Sequence, residues 1–473
     1  MLVASRGSTY GIIGAVRPAR PVDELAAELG PGAVLRADRD DTTGYVTPAR
    51  GPTGGPVDVV RPATTEEVRT VVRWAREHGT RVLAQGANSG LVGASTPPRH
   101  PGDLVVLSTE RLRRGAVVDP VDRTAVVPAG LRRSELDELA APHGLWFPID
   151  LGADPSLGGM VATNTGGARM LRHGDVRRRT LGVEVVLADE AVSVLDTLRT
   201  FRKDNRGIDL TDVVVGSSGA LGVVTRVAVD LAVRPDETAC AWVPLRRAED
   251  ALVLLGHLER RLDPLLAAFE VVSAAALDAA ATAGHPLDVG GAPWAALVEV
   301  AGPVGSGDAL VAAAGSAPVD TSAALLLPPA RAWAPRHSIS EGLARAGTVV
   351  GHDVAVPRAA LPALVSDTAA VVAAGWPEAT FADFGHWGDG GVHLNVVFPH
   401  GHPVGDDVVD AVHDAVFAVA VEQHGGTFSA EHGIGPANAA WWRRTTPPVA
   451  VALRTSLRTA CDPLGILGHP GLP

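Results

Sequence analysis

Four residues late in the chain are of the types that hold a metal ion and move a proton: His386 and His393 in FGHWGDGGVHLNV, and Glu431 and His432 in SAEHGIG. Two imidazoles and a carboxylate form a common ligand set for zinc, one that leaves a coordination position open. Neighbouring residues of an extended chain point to opposite sides, so Glu431 is assigned to the metal and His432 to a substrate. His386 and His393 are seven apart and share no helical face, while Gly388, Gly390 and Gly391 between them suit a turn joining two strands. A lone histidine is more often structural than a ligand. Here Asn395 and the Glu-His dipeptide accompany the pair in glycine-flanked loops, and a metal centre becomes the expectation. Arg336 and Ser340, four apart at what reads as a helix start, could present a guanidinium and a hydroxyl to one carboxylate. Taken alone, Arg336 reads better as a solvated surface charge.

Two glycine-rich stretches nearer the N-terminus fit a larger ligand. In AQGANSGLVGAS the run Gly86, Ala87, Asn88, Ser89, Gly90 and Leu91 leaves a strand with little side-chain bulk, so backbone N–H groups can approach a pyrophosphate. A plain tight loop explains that stretch as well. In PIDLGADPSLGGMVATNTGGARMLRHG the polar residues Ser156, Thr163 and Asn164 stand among Gly158, Gly159, Gly166 and Gly167. Two such loops in one domain could hold the two halves of a dinucleotide. Pro97 and Pro98 forbid a helix directly after the first loop, which disfavours a nicotinamide-binding fold of the GxGxxG type.

These loops need strands to launch them. PVDVV, TTEEVRTVVRWAREHG and TRVLAQG read as strand, helix and strand, with Thr64 and Glu67 spaced as a capping box and Gly79 as the stop. LVVLS, TAVVPAG and GVEVVLAD continue the strands, and a helix opens at Ser134. A boundary is expected near Arg234 and Pro235, followed by Ala/Leu-rich helices and strands such as WAALVEV, a separate α+β layer. The Pro/Gly/Ala stretch 301–335 reads as a surface excursion, and 404–424 as a helix.

Composition sets the outer limits. A net charge of −12 gives no basic stripe for a phosphate backbone, so nucleic acid is excluded as a partner despite the run Arg177, Arg178, Arg179. No apolar run reaches the roughly 18 residues of a membrane span, so no integral membrane segment is expected. Cys240 and Cys461 lack metal-like spacing and read as reduced core residues of a cytoplasmic protein. The first 20 residues carry no convincing secretion signal. Lys203 is the only lysine, which suggests a place that arginine will not fit.

QGANSGLVGAS, LSTERL, PIDLGADPSLGGMVATNTGG, LGVEVVLAD, RKDNRGIDL, GSSGALGVVT, GHDVAVP, FGHWGDGGVHLNV and SAEHGIG follow one another in that order. Together they resemble the FAD-linked oxidases of the vanillyl-alcohol oxidase type, in the D-2-hydroxyglutarate and D-lactate dehydrogenase branch, from about Pro56 onward. The resemblance implies an α+β fold with a two-part FAD-binding domain and an α+β cap: residues 1–235 for FAD, 236–425 for the cap, and 426–473 returning to the flavin. It implies that the stretch 86–91, Ser156, Gly159, Thr163, Asn164, Gly167, Gly222 and Val223 contact FAD. It also implies that His386, His393 and Glu431 bind a divalent metal, zinc by preference, and that Arg336, Ser340, Asn395 and His432 face a 2-hydroxy acid. Relatives that attach flavin covalently use a histidine in the first loop; Asn88 and Ser89 stand there, so FAD is expected to be non-covalent. The implied reaction passes hydride from C2 to flavin N5, with His432 as the base. The electron acceptor, whether quinone, electron-transfer flavoprotein, cytochrome or oxygen, has no readable motif, and a homodimer stays open.

The pattern breaks at the substrate end. Relatives specific for hydroxyglutarate carry a lysine where Gly351 stands, so a second carboxylate loses its cation unless His352 or Arg345 replaces it. His337 follows the substrate arginine in place of an acid, Ser218 and Ala220 replace Glu and Thr, and ILGHPG departs from ILNPGK. Two other readings compete: a catalytically degenerate protein that keeps FAD or metal as a scaffold, and a zinc hydrolase without flavin.

Overall fold

The structure is a computed structural model and describes residues 22–472. The N-terminal stretch 1–20, read above for a secretion signal, lies outside the described residues. Helix Thr65–His78 forms as its sequence demands: the Thr64 hydroxyl accepts from the Glu67 N–H at its start, and Gly79, at a φ of +65°, ends it. It buries Val68, Val71, Val72 and Ala75 and links strands Asp58–Val60 and Arg81–Gln85. Both strands run parallel to Leu104–Ser108, and Val34–Leu35 completes that sheet on one edge. A second, antiparallel sheet carries, in order, Val117–Asp119, Thr124–Pro128, Val223–Asp230, Thr180–Val186 and Val194–Asp196. The two sheets share one core, to which Val72, Val82, Val127, Met160, Val183 and Val227 contribute. Ile466 and Leu467 from the end of the chain belong to that core as well; the Val82 N–H donates to the Ile466 carbonyl at 2.8 Å and the Gly468 N–H to the Val82 carbonyl at 3.1 Å.

From Glu237 the chain enters a seven-stranded antiparallel sheet in the order Leu325–Leu327, Glu237–Leu245, Trp294–Gly302, Leu266–Ser273, Thr380–Gly385, Gly391–Pro399, Gly347–Ala355. The two-residue period of a strand sends Cys240 and Trp242 to one face and Ala241 and Val243 to the other. Helices Ala274–Thr282 and Pro329–Ala346 cover the first face; Ala248–Leu262, Ser306–Gly315 and Leu361–Gly375 cover the second. Residues such as Trp242, Phe269 and Phe398 are fully buried there, each worth roughly 1.5–3 kcal/mol of transfer free energy. The molecule is therefore α+β in both parts, as the sequence indicates.

Three expectations change. The stretch 301–335 is no excursion: it holds helix Ser306–Gly315, with Leu310 and Ala313 buried, and the edge strand Leu325–Leu327. Arg336 and Ser340 lie in mid-helix, because the helix starts at Pro329, where proline is tolerated, and continues through Pro335. Lys203 is exposed in a loop, so nothing about its site excludes arginine. No helix among the described residues is long and apolar enough to cross a membrane.

Candidate active site

His386 and His393 flank a turn between adjacent strands, and the N–H groups of Asp389, Gly390 and Gly391 all donate to the His386 carbonyl. Across the sheet, His393 stands opposite Asp353 and Asn395 opposite Gly351. The loop bearing Glu431 and His432 is pinned to the same place, since both N–H groups donate to Asp353 Oδ2 at 2.8 Å and Ala430 N–H donates to the Asp353 carbonyl. Three imidazoles consequently surround one carboxylate oxygen. Glu431 Oε1 lies 3.5 Å from His386 Nε2, 3.8 Å from His393 Nε2 and 3.9 Å from His432 Nε2. The His393 and His432 rings stack, 5.6 Å apart and 12° from parallel.

Carboxylates lie behind the other ring nitrogens, hydrogen-bonded at His386 and a little beyond that distance at His393 and His432. His386 Nδ1 donates to Glu270 Oε1 at 2.5 Å, and Asp353 lies 3.6 Å from Nδ1 of both His393 and His432. Carboxylates in that outer position fix the ring and turn Nε2 toward a ligand site. By proximity alone the compact group of donors is Asp353, His393, Glu431 and His432, which omits His386. Asp353 faces the Nδ1 side, however, and His386 faces the shared oxygen, so Asp353 is better placed as a support and His386 as a donor. Ligands about 2.0–2.1 Å from a tetrahedral zinc stand about 3.4 Å from one another. Glu431 Oε1 stands close to that spacing from Nε2 of both His386 and His393, and the chemistry of these donors fits a divalent cation.

Charge is arranged around the cluster in opposing pairs. Burial disfavours a charge on Glu270, yet His386 and Arg336 hold its carboxyl down at about 2. Burial likewise works against a charged His386, but Glu270, with Glu431 adding, holds that imidazole well above the ordinary histidine range. Burial, reinforced by the neighbouring His386, pushes His393 well below it. Glu270 also accepts from Arg336 Nε at 2.6 Å, and the Arg336 guanidinium lies 4.6 Å from the Phe384 ring centre.

A cavity of about 510 Å³ runs from this cluster to the glycine loops, within the size range of cofactor sites. Residues 86–91 line it, as do Ser156, Gly159, Thr163, Gly167, Gly222 and Val223; so do Arg336, Ser340, His386, His393, Asn395, Glu431 and His432. The N–H groups of Ala87, Asn88, Ser89, Gly90 and Leu91 donate to no described residue, and those of Leu151, Gly152 and Ala153 do not either. Such unmet donors form the kind of cradle a pyrophosphate fills. Gly86 lies where the two loops meet: a Cβ there would be 2.2 Å from Ser156 Oγ, so that hydroxyl would have to shift. The donors and the cavity both fit FAD.

Two family descriptions match the chain: the FAD binding domain over residues 56–196, and the C-terminal domain of FAD linked oxidases over 234–471. The chain belongs to the FAD-linked oxidase family. It is 34% identical over 421 residues to a mitochondrial D-2-hydroxyglutarate dehydrogenase of Rattus norvegicus, covering 86% of this chain and 76% of that one. A D-2-hydroxyglutarate dehydrogenase of Xanthomonas citri pv. viticola is 31% identical over 437 residues, 89% of each chain. Among solved structures, alkyldihydroxyacetonephosphate synthase superposes with a TM-score of 0.71 at 17% identity, over 94% of this chain and 83% of that one, which shows a shared fold.

One residue assigned to the cofactor from sequence is not brought to the cavity of this FAD-linked oxidase. Asn164 caps helix Leu157–Thr163 with a φ of +50°; its amide donates to Asp175 and its carbonyl accepts from the Arg177 N–H, so the side chain is committed to the protein. It faces a smaller cavity beside Thr427–Ile434 instead. Glu270 and Asp353 are the residues that sequence reasoning missed. Asp353 stands in the GHDVAVP motif; Glu270 lies in LAAFEVVS, where a lone acid inside an apolar strand is the signal.

Proposed function

We propose that the chain oxidises a D-2-hydroxy acid to the 2-oxo acid, with FAD bound non-covalently and a divalent metal, zinc by preference, beside it. The observation that carries this reading is the single cavity joining unmet backbone donors to a cluster of three imidazoles and a carboxylate. When bound, FAD supplies the acceptor for the C2 hydride, and the cation supplies a Lewis acid. His386, His393 and Glu431 would hold the cation, and residues 86–91 with Ser156, Gly159, Thr163 and Gly167 the cofactor, joined by Gly222 and Val223. His432 takes the hydroxyl proton on Nε2, its orientation kept by Asp353 at Nδ1 and by its own N–H. Arg336 and Ser340 hold a carboxylate, and Asn395 orients the substrate between them and the base.

We assign residues up to 235 to FAD, 236–425 to the cap and 426–473 to the returning segment; the sheet beginning at Glu237 and the bonds from Ile466 and Gly468 to Val82 support that division. The unpaired cysteines Cys240 and Cys461 suit a reducing compartment such as the cytoplasm. The test is an anaerobic mix of the yellow holoenzyme, zinc present, with D- and L-2-hydroxy acids. D-acids should bleach the flavin absorbance within the mixing experiment. If no hydroxy acid does so, the dehydrogenase reading is lost, and a colourless zinc protein would favour the hydrolase.

A further inference from the structure

The cation missing from position 351 is replaced from elsewhere in the chain. Gly351 sits on strand Gly347–Ala355, paired across the sheet with Asn395 and two residues before Asp353. A Cβ built on it would meet Arg50 Nη1 at 3.1 Å and Arg50 Cζ at 3.6 Å. The guanidinium of Arg50, carried by the segment between helix Thr43–Val46 and strand Asp58–Val60, therefore fills the room that a side chain at 351 would need. Neither His352 nor Arg345 takes that place. The His352 ring packs against His413 and Phe417 and shares a hydrogen bond with the Leu394 carbonyl, and Arg345 is committed to Glu341 and the Thr282 carbonyl.

Arg50 also differs from the other arginines around the cavity in its partners. Arg336 is bound to Glu270, and Arg169 to Asp150 and Glu299. Arg50 lines the same cavity and makes no hydrogen bond or ion pair with a described residue. A guanidinium stays charged at every accessible pH and presents a planar fork matched to a carboxylate. Arg50 is exposed where it lines this cavity, so its fork is open to an anionic group of a ligand bound there.

We propose that Arg50, not a residue of the strand at 351, is the specificity residue that binds a second anionic group at the far end of the substrate. This rests on the hydroxy-acid reading and adds what that reading leaves open. The test compares anaerobic flavin reduction by D-2-hydroxyglutarate and by D-2-hydroxypentanoate, which has the same length and no second carboxylate. Arg50→Ala should lower the ratio of their kcat/KM values about 10- to 100-fold, the range of a charge-assisted hydrogen-bonded pair. Arg50→Lys should keep most of the ratio, and Gly351→Lys added to Arg50→Ala should restore part of it. An unchanged ratio, or loss of bound FAD from Arg50→Ala, overturns the assignment. Flavin that neither acid reduces in the unaltered enzyme would instead bring down the hydroxy-acid reading itself, and the monocarboxylate separates the two failures.

Discussion

Glu270 joins the two halves of the site, because its two oxygens receive His386 and Arg336 separately. Replacing it by Gln keeps the shape and removes the charge that orients both. Loss of such an outer carboxylate costs about 10- to 100-fold in metal affinity or activity, so Glu270→Gln should weaken zinc binding by that factor, read by competition with a chelator. It should keep FAD; equal zinc affinity in the variant would show that Glu270 only fills space. A second comparison separates the base from the ligand. His432→Ala and His386→Ala should each abolish flavin reduction while FAD stays bound, but zinc affinity should fall much further in His386→Ala. The members of the cluster, His386, His393, Glu431 and His432, were legible in the sequence, since histidines among glycines are few and distinctive. Glu270 was not, because its partner His386 is 116 residues away and nothing local distinguishes a supporting acid from a misplaced one. Arg50 escaped for the same reason: its significance lies in a contact with Gly351, which only folding creates.

Arg336 and Ser340 depend on where helix Pro329–Ala346 rests, and that is set by a close approach to helix Ala274–Thr282. At Gly342 a Cβ would lie 1.9 Å from the Ala279 carbonyl oxygen, a backbone atom with no freedom to move aside. Gly342→Ala should therefore push the helices apart and destabilise the fold by roughly 1–3 kcal/mol, measured as a lower urea midpoint at unchanged slope. It should also raise KM for the hydroxy acid, since the displaced helix carries Arg336 and Ser340, the pair proposed to hold its carboxylate; an unchanged midpoint would mean that the helices have slack. The strands and the capped helix Thr65–His78 were legible because period and caps are local. The start of the helix that carries Arg336 was not. Pro335 argues for a boundary by removing one backbone donor, whereas burial of Ala332, Trp333 and Ile339 against the sheet carries the helix through it. Tertiary packing likewise made a buried helix of Ser306–Gly315, whose composition suggests a loop.

At the scale of the molecule the chain closes on itself, with Ile466 and Leu467 packed in the core begun by Val68 and Val72, and this closure has no motif because it joins opposite ends of the sequence. Between the two parts lies His173, edge-on to Trp146 at 5.6 Å, with Arg179 3.3 Å from its Nδ1. Burial, and then the charges of Arg179, Arg172 and Arg169, lower its pKa to about 3. The folded protein thus keeps His173 neutral down to acid pH, while the unfolded chain takes up a proton near 6.5. Between those values the unfolded state binds more protons, so stability falls as pH falls from about 6.5 toward 3. From pH 7.5 to 5 the loss through this one group is about 2 kcal/mol. His173→Gln removes the titration, so its unfolding free energy should fall by about 2 kcal/mol less than that of the unaltered protein over the same interval. Urea unfolding of both proteins at the two pH values checks this. Parallel losses would show that His173 gains its proton in the folded state, and that the arginines around it are less confined than their contacts indicate.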